Sequence, residues 1–195
     1  MDDRQFFDQL APTWDANEVK STPEKVNEIL DIIGIEKGDA VLDLGTGTGV
    51  LLPYIAKRIG EAGKILAVDY SEGMLARARE KYEKLIPNTE FLNLDFENEN
   101  LEGEFDKIIM YCVYPHLHNP LDTMKWLRKV NLKEGGGIYI AFPCGEDFIN
   151  NIHKEKHSES ELLPSAEKLA AFFRENGLNA EVLVSNEGAY VVRIT

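Results

Sequence analysis

Val41-Leu42-Asp43-Leu44-Gly45-Thr46-Gly47-Thr48-Gly49, followed after a helix-length gap by Ile65-Leu66-Ala67-Val68-Asp69, decides the fold. One apolar run enters a glycine-rich turn, and a second apolar run ends in a carboxylate. Strand, tight turn, helix, strand and acid is the layout of a nucleotide-type cofactor site. Glycine has no Cβ, so this turn can take positive φ and let a ligand approach the backbone closely. A dinucleotide fingerprint wants Gly or Ala at position 50, and Val50 stands there. The Gly-Lys-Ser/Thr of a phosphate-cradling loop is absent.

Working outward, apolar runs predict strands over 40–44, 64–69, 89–94, 105–111 and 138–142, with helices over about 49–59, 71–85, 119–130 and 165–176 between or after them. A further helix starts at Thr22-Pro23, carries the stripe Val26, Ile29, Leu30 and Ile33, and ends at Gly34. A short helix over 2–10 is broken by Ala11-Pro12-Thr13-Trp14. The acidic stretch 97–104 reads as a surface loop, and Gly135-Gly136-Gly137 as a turn. The segment 144–163 reads as an insertion that folds over as a lid, helical near Phe148, Ile149 and Ile152. Strands over 179–184 and 189–194 are joined only by Ser185-Asn186-Glu187-Gly188, which suits an antiparallel hairpin and is too short for a parallel crossover. Alternation on this scale predicts an α/β, doubly wound, mostly parallel sheet covered on both faces. One domain over 1–195 is expected.

A chain of 195 residues buries roughly 70% of the surface its unfolded form exposes. Its net charge is −13, from 21 basic and 34 acidic residues, which argues against a phosphate backbone as partner. Otherwise the acidity fits a solvated surface. No apolar run approaches the roughly 20 residues of a membrane span, so no membrane partner is expected. The first residues lack a secretory pattern, and two cysteines, Cys112 and Cys144, make no disulfide framework. A reducing, cytoplasmic setting is expected. Nothing in the sequence fixes an oligomeric state.

Asp69 ends the second strand, where a carboxylate can accept two hydrogen bonds from a cis-diol; the plainer reading is a helix cap or a solvated strand end. Asp95, ending the third strand, can accept from an exocyclic amine or simply shape a turn. These motifs, with Asn93-Leu94-Asp95-Phe96, Phe105-Asp106-Lys107-Ile108-Ile109, Leu132-Lys133-Glu134-Gly135-Gly136-Gly137 and the terminal hairpin, resemble the class I S-adenosylmethionine-dependent methyltransferases over nearly the whole chain. The resemblance implies a seven-stranded sheet in the order 3-2-1-4-5-7-6, strand 7 antiparallel. It implies S-adenosyl-L-methionine as co-substrate and a small molecule as methyl acceptor. Gly45, Thr46, Gly47 and Gly49 would line its methionine and sugar, with Asp43 beneath them. Asp69 would hold the ribose, Asp95 and Phe96 would bracket the adenine, and Tyr70 or Met74 would cover its other face. Residues 1–20, with Phe6-Phe7-Asp8-Gln9-Leu10-Ala11-Pro12-Thr13-Trp14-Asp15, look like the cap segment of small-molecule members. Family members that methylate nucleic-acid amines or protein glutamine often carry Asp/Asn-Pro-Pro-Tyr/Phe after strand four; Tyr111-Cys112-Val113-Tyr114 does not match it.

Ligands of open α/β sheets sit at the carboxyl ends of the strands. Tyr111, Tyr114 and His116 are therefore the expected lining of the acceptor pocket, closed by Phe7 and Trp14. All four histidines (His116, His118, His153 and His157) lie beyond strand four, and the cysteines end strands four and five. Three readings of this cluster stay open. It packs; or His116 or His118 contacts the substrate and takes its proton; or the group holds a soft metal or metalloid. No metal-ligand signature is matched, and none is assigned. Two other functions stay open as well. One is a protein that binds the cofactor without catalysis. The other is a nicotinamide-dependent oxidoreductase, against which Val50 and the hairpin count.

Overall fold

Strand and helix alternate because short apolar runs bounded by turn residues, such as Ala40–Leu44, alternate along the chain with stretches of helical period. In the computed structural model, which describes residues 3–17, 21–155 and 162–195 (backbone alone at 3, 17 and 152–155), seven strands form one sheet. They are β1 Ala40–Leu44, β2 Lys64–Asp69, β3 Thr89–Asn93, β4 Phe105–Tyr111, β5 Leu132–Phe142, β6 Ala180–Asn186 and β7 Ala189–Ile194. Their order is β3-β2-β1-β4-β5-β7-β6. β1 to β5 pair in parallel, and β7 runs antiparallel to both β5 and β6. Expected order and sense agree with this. The helices are α1 Asp3–Leu10, α2 Trp14–Asn17, α3 Pro23–Ile33, α4 Leu52–Ile59, α5 Glu72–Tyr82, α6 Pro120–Val130, α7 Glu146–Glu155 and α8 Ala166–Glu175.

Strand side chains alternate between faces, so one sheet supports two cores. Leu42, Leu44, Ile108, Met110, Ile140 and Val192 pack against Met124 and Leu127 of α6 and Leu169 and Phe173 of α8. Val41, Ile65, Ala67, Ile109, Tyr139 and Val191 pack on the other side against Val26, Ile29, Leu30 and Ile33 of α3 and Ile55 and Ile59 of α4. Each fully buried aliphatic side chain contributes about 1.5–3 kcal/mol. Thr22 caps α3 by accepting from the Lys25 amide, and Gly34 ends it in the left-handed region at φ 69°.

Several boundaries differ from the sequence reading. The glycine triplet is no turn: β5 runs through it. Phe105 pairs with Leu132 but Lys107 with Gly137, so the triplet is a bulge of β5. α4 starts at Leu52, because Gly49 (φ 82°) still belongs to the turn. α5 ends at Tyr82, and the hairpin loop shortens to Glu187 and Gly188. The break after α1 is a 3-10 turn, Ala11–Thr13, leading directly into α2. The stretch read as a surface loop is half core: Leu101 is buried, and so is the Glu97 side chain. That stretch is a parallel crossover without a helix. The sheet face beside β3 keeps a hollow of about 710 Å³ lined by Lys64, Leu66, Leu92, Leu94 and Phe105.

Candidate active site

Gly45 and Thr46 both donate their amides to the Val68 carbonyl, at 2.8 and 2.9 Å, which folds the turn back over β2. Gly45 and Gly47 hold φ of 69° and 57°. The two ends of the turn are wedged. A Cβ on Gly45 would collide with Cγ2 of Val113, and one on Gly49 would lie 2.9 Å from Leu52 Cδ1. The middle is open, with no atom within 4 Å of a Cβ on Gly47. Asp43 lies beneath, 1% exposed, accepting from Thr46 Oγ1 at 2.7 Å. Burial pushes its carboxyl up to about 7, against the opposing Thr46 bond.

Asp69 joins the turn to the next helix. Its Oδ2 accepts from the Gly47 amide at 2.7 Å and its Oδ1 from the Ser71 amide at 2.9 Å. Burial pushes this carboxyl up to about 6. Ser71 caps α5 by accepting from the Met74 amide. The N-terminal segment comes down on the same place. Asp8 Oδ1 accepts from Ser71 Oγ at 2.6 Å and from the Gly73 amide at 2.9 Å. Asp15 accepts from Thr48 Oγ1 at 2.5 Å and from Lys81 Nζ at 2.9 Å. Phe7 meets Trp14 and His116 edge-on, at centroid distances of 5.8 and 5.2 Å, and Tyr70 at 6.2 Å. Arg4 stands over the Tyr70 ring. One short segment thus touches the chain just beyond β1, β2 and β4, at the ligand-binding end of such sheets.

The expected acceptor trio is not gathered on one side. Tyr111 follows Ile109 onto the α3 side, where its hydroxyl donates to Ser21 Oγ. Tyr114 enters the opposite core, edge-on to Phe173 of α8, and burial pushes its hydroxyl up to about 12. The strand breaks between them at Cys112, which takes φ 61°, and a 3-10 turn over Tyr114–His116 follows. His116 alone of the three faces Phe7. His118 is largely exposed, its Nδ1 3.2 Å from Glu97 Oε2. Asp95 shapes its own turn, accepting from the Glu97 amide and from Asn98 Nδ2. Phe96 packs half-buried on the α6 side, Met74 is buried, and Tyr70 is half-buried. Among the described residues no three His, Cys, Asp or Glu side chains converge on a metal position. His157 and the side chain of His153 lie outside the described residues.

A family model described as methyltransferase domain matches residues 35–180. The chain belongs to the methyltransferase domain family. Its fold matches a solved S-adenosylmethionine-dependent methyltransferase from Aquifex aeolicus, with a TM-score of 0.73 and 25% identity over 100% of this chain and 98% of that one. It is 34% identical over 116 residues to the ubiquinone/menaquinone biosynthesis C-methyltransferase of Escherichia coli, covering 57% of this chain and 45% of that protein. It is 27% identical over 147 residues to protein-L-isoaspartate O-methyltransferase 2 of Archaeoglobus fulgidus, covering 74% of this chain and 67% of the relative. The chain spans 39–67% of the length of these and similar curated relatives.

The residues present fit S-adenosylmethionine, on which the solved relative from Aquifex aeolicus depends. The turn is open at Gly47, and each Asp69 oxygen keeps a lone pair beyond its one backbone bond. The site also includes residues that sequence reading assigned no individual role. Asp8 falls on the short expected helix and Asp15 just past its break, both within the expected cap segment, and only their long-range bonds show what they hold. Val113 explains why Gly45 must be glycine. Glu97 sits in a stretch whose composition says loop, and no local signal marks it.

Proposed function

We propose that this methyltransferase moves a methyl group from S-adenosylmethionine to a small-molecule acceptor, as a single domain capped by its N-terminal segment. The observation that carries the reading is the double anchoring of that segment. Asp8 ties it to the start of α5 and Asp15 ties it to Thr48 of the glycine turn. A cover held this closely suits an acceptor small enough to pass beneath it and suits a long polymer poorly. The chain's net charge of −13 also disfavours nucleic acid. The covering role is assigned to residues 3–17 and not to 144–163. α7 is docked at its start, where the Gly145 amide donates to the Glu187 carbonyl, and Asn150 bonds both backbone groups of Leu163.

S-adenosylmethionine supplies a methyl group on a sulfonium, which is already a good leaving group. Gly45, Thr46, Gly47 and Gly49, set by Asp43 below, offer the surface that receives it. Asp69 is assigned to the ribose hydroxyls. Asp95, Phe96, Tyr70 and Met74 are assigned to the adenine side, where Asp95 would exchange its Asn98 bond for the base's amine. Phe7 and Trp14 shed water from the reacting end. Orientation of this kind is worth roughly 7–11 kcal/mol. His116, against Phe7, is the group placed to take a proton from an acceptor that carries one, worth about 10²–10⁴-fold. Tyr111 and Tyr114 are assigned to packing.

Calorimetry with S-adenosylhomocysteine and, separately, NAD(P) tests the donor. Methyl-labelled S-adenosylmethionine offered with fractionated metabolite pools tests the transfer. Micromolar binding of S-adenosylhomocysteine and label moving into one fraction are expected. Binding with no transfer in any pool would instead favour a non-catalytic binder, and preference for NAD(P) would sink the donor assignment.

A further inference from the structure

Glu97 is the most fully engaged side chain in the crossover between β3 and β4. Its side chain is 8% exposed. Oε2 accepts from the His118 amide at 2.9 Å and lies 3.2 Å from His118 Nδ1; Oε1 accepts from the Asn119 amide at 2.8 Å and from Thr123 Oγ1 at 3.2 Å. One carboxylate therefore holds the loop that carries His116 and the first turn of α6. The other end of the same residue is equally tied. The Glu97 amide donates to Asp95 Oδ1, and the Asp95 amide donates to Glu99 Oε1. Turn 95–99 and loop 114–119 come from opposite sides of β1 and β2 in the sheet order, and Glu97 makes them one unit. A charged acceptor that gathers this many donors in a nearly closed setting is costly to disturb.

We propose that Glu97 is a positioning residue that couples donor binding at Asp95 to the placement of the His116 loop. This rests on the reading of Asp95 as the adenine-side acid. A base amine bonded to Asp95 restrains the turn, the turn restrains Glu97, and Glu97 restrains the loop. The loop is then set most firmly when the methyl donor is present.

Amide hydrogen exchange with and without saturating S-adenosylhomocysteine tests this. In the wild-type protein the ligand slows exchange at His118 and Asn119 by about tenfold or more, within the usual 5–150-fold range of coupled sites. In Glu97→Gln and Glu97→Ala it changes those two amides by less than about twofold, while residues 45–49 are still slowed. A purely structural Glu97 would speed loop exchange in the variants and leave the ligand effect intact, which overturns the proposal. So does a wild-type protein whose residues 45–49 are slowed while His118 and Asn119 are not, a comparison that needs no variant to fold. Failure of the donor reading looks different: no heat of binding and no slowing at residues 45–49.

Discussion

Gly45 and Gly47 share a left-handed backbone and differ in what surrounds them, so alanine at each should fail differently. An alanine at either position costs about 1 kcal/mol for its positive φ. At Gly45 the added methyl also collides with Val113, and overpacking of this kind costs about 1–3 kcal/mol more. Gly45→Ala should therefore lose about 2–4 kcal/mol and Gly47→Ala about 1 kcal/mol. Val113→Ala alone should lose about 1–2 kcal/mol as a half-buried side chain is trimmed. In the double variant the collision is gone, and a favourable coupling of about 1–2 kcal/mol should appear. Urea unfolding of the four proteins without ligand measures the cycle. Binding should sort them the other way. Gly47→Ala points its methyl into the open middle of the turn and should weaken S-adenosylhomocysteine by 100-fold or more in calorimetry. Equal destabilisation by the two alanines, or no relief from Val113→Ala, would refute the wedge argument. Intact binding by Gly47→Ala would refute the assignment of the turn.

Further expectations follow from the buried acids, the N-terminal anchors and the loop after β4. Burial holds Asp43 up to about 7 and Asp69 up to about 6, so the folded protein keeps protons that the unfolded chain has released. The stability these groups contribute is full below about pH 4 and is lost as pH rises through 6 and 7. The difference between wild type and Asp43→Asn should shift by on the order of 4 kcal/mol across pH 4 to 8, and a flat difference in urea titrations counts against it. Asp8→Asn with Asp15→Asn should raise the rate of proteolysis within residues 3–17 by about threefold to tenfold and move the global melting midpoint by less than about 3 °C. Cleavage no faster than in wild type would mean that these bonds do not hold the segment. Tyr114→Phe should leave methyl transfer within twofold, whereas His116→Ala should lower it about tenfold or more for a proton-bearing acceptor. A reversed ranking would return Tyr114 to the acceptor pocket.

The alternation of strand and helix and a sheet covered on both faces were legible because they rest on apolar runs, helical stripes and one glycine turn, which are local; the strand order came only from the resemblance to class I S-adenosylmethionine-dependent methyltransferases. The hairpin could be read because the four residues Ser185-Asn186-Glu187-Gly188 are too few for a parallel crossover. The glycine triplet misled: three glycines imply a turn, and only pairing with β4 shows that they bulge a continuing strand. Tyr111 and Tyr114 were legible as residues at and just beyond the end of β4, but the side that Tyr114 takes was not, because it depends on the left-handed Cys112 between them. The acids Asp8, Asp15 and Glu97 were illegible for a related reason. Their partners lie 63–65, 33 or 66, and 21–26 residues away, and no spacing rule spans such distances.

The N-terminal segment proposed as the cover belongs to neither core. It is held by two carboxylates, by the half-buried Phe7 and by its neighbours, which together amount to about 2–4 kcal/mol. An opening free energy of that size predicts roughly one molecule in 30 to 1,000 open while the sheet remains whole. Product residence time is thereby separated from global unfolding. Under the proposed function, the departure of spent donor should follow the lifetime of the hydrogen bonds to Asp8 and Asp15, and strengthening either one should slow turnover without making the protein much harder to denature.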